Sequence, residues 1–80
     1  MPWLVNFQTT TTRTNVGSVE LTWTEPTGET FRFTDDQFKA DNITQINNLK
    51  TRATTAKDAW KTKLDADKAM NATLTTSMNT

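Results

Sequence analysis

Few side chains in this 80-residue chain could do chemistry, and their spacing narrows the choice further. Cysteine and histidine are both absent, which removes a thiol nucleophile, an imidazole base, a disulfide framework and a Cys/His zinc site. The close carboxylate pairs are Asp35-Asp36 and Asp65-Ala66-Asp67. Acid–base work needs two carboxyl groups converging on one cleft. On a helix, residues i and i+2 diverge by ~200°, so Asp65 and Asp67 cannot share a metal ion. A calcium loop would also need a glycine and a bidentate glutamate, and neither follows Asp65. These acids read as capping and solvated helix charges. No P-loop, dinucleotide fingerprint or nucleophile elbow occurs. The expectation is a protein that is not an enzyme, with no catalytic residue, cofactor or metal.

Other candidates would bind rather than react. Lys39, Lys50, Lys57, Lys61 and Lys68 fall within ~40° of one another at 100° per residue. Such a stripe could meet nucleic acid, anionic lipid or an acidic partner. Asp36, Asp58 and Asp65 border it, however, and the net charge is 0. The stripe therefore reads as the charged flank of a helix interface, and nucleic acid is not expected as a partner. Trp3, Trp23 and Trp60 read as packing anchors, with Trp60 a candidate hot spot. Asn42-Ile43-Thr44 and Asn71-Ala72-Thr73 match a glycosylation acceptor pattern, but both fall on the expected helix and no signal-peptide pattern is present, so they read as chance. No apolar run approaches ~20 residues, so no membrane span is expected.

The elements that must carry these residues are marked by sparse punctuation. The only prolines are Pro2 and Pro26 and the only glycines Gly17 and Gly28. Trp3, Val5 and Phe7 alternate with Leu4 and Asn6 as in a strand. The tract Thr9–Thr12 could extend that strand or form a mobile arm, and 13–18 reads as a loop. Val19, Leu21 and Trp23 alternate cleanly, Glu25-Pro26-Thr27-Gly28 fits a type I turn with a glycine bulge, and Phe31 and Phe33 resume the alternation. A loop of 26–28 pairs Trp23 with Phe31 and Leu21 with Phe33 on one face. Leu21, Trp23, Phe31 and Phe33 are thus the expected hairpin core.

Thr34-Asp35-Asp36-Gln37 has the form of a capping box, with Thr34 as N-cap and Gln37 three residues on. Phe33 and Phe38 are spaced as a hydrophobic staple, and both acids suit a helix N-terminus. A helix is expected from about 35 to 75, ~60 Å long. Ile46, Leu49, Ala53, Ala56, Trp60 and Leu64 follow at steps of 3, 4, 3, 4 and 4, a heptad-like seam that Asn42, Asp67 and Asn71 interrupt. The fold class is α+β: an N-terminal antiparallel β-hairpin or three-stranded meander, then one long amphipathic, coiled-coil-like helix. The chain forms one small domain, with a β head over 1–34 and a helix over 35–80 whose C-terminus frays.

The hydrophobic fraction is 34%, and alanine makes up part of that. A single core in a chain this short rarely yields more than ~3–5 kcal/mol without a staple. With disulfides excluded, association is the remaining staple. A short hairpin joined at Phe33 is expected not to reach Trp60, which places that indole between chains unless the helix folds back near 63–68. The seam from Ile46 to Leu64 is therefore the expected interface of a homo-oligomer, with a trimer favoured.

The short aromatic opening Pro2-Trp3-Leu4-Val5, the hairpin Val19–Phe33 with Pro-Thr-Gly at its tip, and the helix containing Asp58-Ala59-Trp60 sit in a chain with 19 threonines and no cysteine. In style, over its whole length, it resembles the small structural virion proteins of tailed phages. No specific motif carries that resemblance, and it transfers no functional residue. It implies a capsid decoration, neck, tail or baseplate adaptor, or fibre component, located in the virion and bound to itself or to larger virion proteins. The rival expectation is a small phage or bacterial binding module in the bacterial cytoplasm, an inhibitor or fibre-assembly chaperone docking on a protein partner.

Overall fold

Alternating side chains build the first half of the molecule, and helical spacing builds the second. The computed structural model describes residues 3–10 and 12–80. Pro2 of the aromatic opening and Thr11 of the threonine tract lie outside the described residues. The elements are β1 (Leu4–Thr9), β2 (Val16–Thr24), β3 (Thr30–Lys39) and α1 (Ile43–Met78). The strands form one antiparallel meander in the order β1-β2-β3, and the single long helix follows, an α+β arrangement.

The register arranges one sheet face in rows. Val5 pairs with Leu21 and Leu21 with Phe33; Phe7 pairs with Val19 and Val19 with Asp35. Trp23 pairs with Phe31, and Trp3 meets both rings at centroid distances of 5.3 and 6.4 Å. The tip follows the expected turn. The Gly28 N–H donates to the Glu25 carbonyl at 2.9 Å, and Gly28 takes φ 102°, a left-handed value that glycine adopts without a Cβ penalty. The first connection turns at Asn15 with φ 65°, where asparagine is among the better tolerated residues.

The structure corrects the expected helix start. Thr34 and Gln37 do not cap a helix; both lie in β3, where Thr34 pairs with Glu20. Phe33 and Phe38 form no staple, since each is a strand residue packed toward the core. The reason is a bulge. Gly17 pairs with Phe38 but Val19 with Asp35, so Asp36 and Gln37 together oppose Ser18. This extra residue shifts the alternation by one. Phe31, Phe33 and Asp35 share the inner face, and Phe38, which strict alternation would expose, turns inward and is buried. The β head therefore extends to Lys39 rather than 34.

The helix begins eight residues later on a second box of the same form, Asn42-Ile43-Thr44-Gln45. The Asn42 Oδ1 accepts from the Gln45 N–H at 3.1 Å, and the Gln45 Oε1 accepts from the Lys39 N–H at 2.9 Å. One asparagine thus satisfies a free helical donor, and its partner glutamine ties the end of β3 to the first turn. The helix runs 36 residues, Ile43–Met78, without a bend at 63–68. Thr51, Thr62, Thr73, Thr75 and Thr76 each donate a hydroxyl to the carbonyl four residues back, which is how a helix accommodates so much threonine.

The core is small: Val19, Leu21, Phe38, Leu49 and Ala53 are its buried apolar residues. The molecule measures 62 × 19 × 18 Å with a radius of gyration of 17.3 Å, against ~12 Å for a compact chain of this length. The excess is the helix end beyond the sheet.

Candidate docking surface

The side chains of the expected helix seam divide into two groups. Leu49 and Ala53 are buried in the chain's own core, and Ala56, Trp60 and Leu64 are half-buried. Trp60 lies 5.6 Å from Phe31, centroid to centroid. The expectation that the hairpin falls short of Trp60 is overturned. With the helix starting at Ile43, Trp60 is only ~26 Å along it, and a ten-residue β3 reaches ~33 Å. Leu49, Ala53 and Trp60 hold α1 to its own sheet. Of the seam, Ile46 stays on the surface, 38% exposed.

Three lysines of the stripe, Lys57, Lys61 and Lys68, also turn to their own chain. The Lys57 ammonium sits 4.3 Å from the centre of the Trp23 ring and 2.8 Å from an Asp58 oxygen. Lys61 reaches Glu25 at 3.5 Å, and Lys68 reaches Glu29 at 2.8 Å. The Trp23 indole N–H donates to Glu25 at 2.7 Å, and this bond, followed by the Lys61 charge, holds the Glu25 carboxyl below its ordinary range against the opposing effect of burial. Hydrogen bonds from Lys68 and then Thr27 hold Glu29 down to about 2. Nearer the helix start, Arg52 donates to Asp35 at 2.9 Å, stacks over Phe33 at 5.8 Å, and lowers the Asp35 carboxyl. Lysine, arginine and acid thus clamp α1 along β3 and the hairpin tip.

These contacts place the helix over β3 and the β2 edge of the inner face, leaving β1 uncovered. Between β1 and the first turns of α1 lies a groove of about 360 Å³. Trp3, Val5, Phe7, Ile46 and Ala53 line it, with Lys50 as the charged residue. Val5 is 65% exposed although it belongs to the core face. The sequence shows the alternation that brings Trp3, Val5 and Phe7 to one side, but no local signal says that the helix would miss them.

The second uncovered region is the far end of α1. Every residue from 65 to 80 is exposed, including Met70, Leu74 and Met78. Asp65 and Asp67 lie here on solvent. Among the described residues no group of three or more acidic, cysteine or histidine side chains could hold a metal, and no helix is long and apolar enough to cross a membrane. Comparison with protein-family models, curated proteins and solved structures finds no significant match.

Proposed function

We propose that this chain is a non-enzymatic assembly protein that docks on protein through its uncovered apolar surface, and that its setting is the virion of a tailed phage. The supporting observation is the groove beside β1. A core-face strand with Val5 65% exposed leaves apolar area in water that a docked protein surface would remove, at ~25 cal/mol per Å². The virion setting draws on the resemblance in composition and style, and it suits a short, stiff, cysteine-free rod that adapts one larger component to another in a capsid, neck, tail or fibre.

The test is banding of particles. A tagged chain produced during infection by the phage that carries its gene should sediment with intact particles at a fixed copy number. Val5→Asp should lower that incorporation about tenfold, the equivalent of ~1.4 kcal/mol, with the circular dichroism of the purified chain unchanged. Recovery only among free soluble proteins would overturn the reading.

A further inference from the structure

We infer that the occupant of the β1 groove is the C-terminal helix end of a second copy, received in a reciprocal antiparallel dimer. The inference rests on the docking function proposed above and names its partner.

Each chain carries both halves of this contact and cannot join them by itself. Lys68 is the last helical side chain that touches the hairpin tip, through Glu29 and Thr27. Beyond it, Met70, Leu74 and Met78 recur every four residues, so they share one face. They lie 58%, 51% and 82% exposed. From Met70 to Met78 the stripe is ~12 Å long; from Trp3 to Phe7 the groove is ~13 Å long. The helix is unbroken to Met78, and Met70 is ~25 Å beyond Ala53 along its axis. The stripe therefore cannot return to its own groove.

Charge supports the antiparallel direction. Residues 69–80 carry no charged side chain, so this segment can enter an apolar groove without desolvating an ion. The first turn of α1 has no acid and the last turn no base, so only the neutral side chains of Asn42 and Asn79 cap the two ends of the helix dipole. Antiparallel docking brings the C-terminal carbonyls of one copy to the N-terminal end of the other and to Lys50 on the groove, a favourable arrangement at both ends. With Leu74 beside Lys50 of the second copy, the two-fold axis passes close to Thr62. Because the operation is two-fold, both grooves and both helix ends close at once. A parallel bundle would instead set like helix ends side by side and leave the groove empty.

The absence of native cysteine makes the test direct. Val5→Cys and Leu74→Cys are prepared separately, mixed and mildly oxidised, with sedimentation equilibrium of the unmodified chain up to about 100 µM in parallel. The expected result is a dimer whose mixed variants form a disulfide between position 5 of one copy and position 74 of the other. Neither variant should cross-link comparably alone. A chain ending at Ala69 should lose at least tenfold in dimer affinity while circular dichroism reports an intact sheet and helix. A monomer throughout that range overturns the inference and leaves the docking function standing, since particle banding is measured independently. A trimer, or Leu74→Cys linking to itself, indicates a parallel bundle and also overturns it, as does a dimer without the 5–74 link.

Discussion

Asn42 shows how much a single polar side chain decides at the entrance to a helix. Its Oδ1 takes the Gln45 N–H at 3.1 Å, and no acid in the first turn shares the task. Asn42→Ala is expected to cost about 1 kcal/mol, read from the midpoint of denaturant unfolding. Thr34→Ala, on an exposed strand position, should stay within about 0.5 kcal/mol. The opposite order would mean that the helix starts at Thr34 in solution. Both boxes were open to inspection in the sequence, since each has a capping residue with glutamine three positions on. Local chemistry cannot rank them. The sheet does, because pairing Asp35–Lys39 with Val16–Val19 satisfies backbone groups and buries Phe38, whereas a helix from 35 would strip β2 of that partner. Gly17 is a second such residue. A Cβ there would lie 2.7 Å from Thr9 Cα and 2.8 Å from the Gln8 carbonyl carbon, so β1 approaches too closely for any side chain at this position.

At the scale of elements, the bulge in β3 and the clamp at the hairpin tip fix how sheet and helix meet. The hairpin was legible because turn, alternation and register agreed at Trp23–Phe31 and Leu21–Phe33. The bulge was not, because two adjacent polar residues, Asp36 and Gln37, suit a helix start as well as a skipped strand position. Deleting Gln37 leaves Asp36 alone opposite Ser18 and Phe38 still opposite Gly17, so Phe38 should stay inward without the bulge and the cost should stay well below that of Phe38→Ala, ~3–5 kcal/mol. A deletion variant destabilised as much as Phe38→Ala would show that Phe38 does not keep its place once the bulge is removed. The clamp makes a different kind of prediction. Glu29 is held to about 2 from an ordinary 4.5, and Glu25 and Asp35 are lowered as well. A depressed carboxyl stabilises the fold fully above its unfolded value and loses that contribution as pH falls through the folded value. Stability should therefore decline from about pH 4.5 toward pH 2. Glu29→Gln should be less stable at neutral pH and show a shallower decline, measured by thermal melting at each pH. Equal slopes in both proteins would mean that Lys68 and Glu29 do not pair in solution.

The whole molecule is a short sheet gripping the first two thirds of a helix whose last turns project alone. A length of 62 Å against a width of 19 Å follows from that mismatch, which the sequence disclosed in outline through its unbroken run from Glu29 to Thr80. It could not disclose how far the sheet reaches, because that depended on where β3 ended. Five more residues of strand brought the hairpin to Trp60 and Lys68. Stability should therefore be unevenly distributed along α1. Amides from Leu49 to Trp60 lie against Val19, Phe33 and Phe31 and open only with the core, whereas 69–78 have nothing over them in a single chain and can fray at little cost. Hydrogen exchange at a concentration that keeps the chain monomeric should thus show protection falling sharply past Lys68. Raising the concentration should restore protection at Met70–Met78 and, by the same step, slow the β1 amides around Val5, because the two surfaces cover each other. Protection that rises in the helix end while β1 stays unchanged would separate the two surfaces and require a different occupant for each.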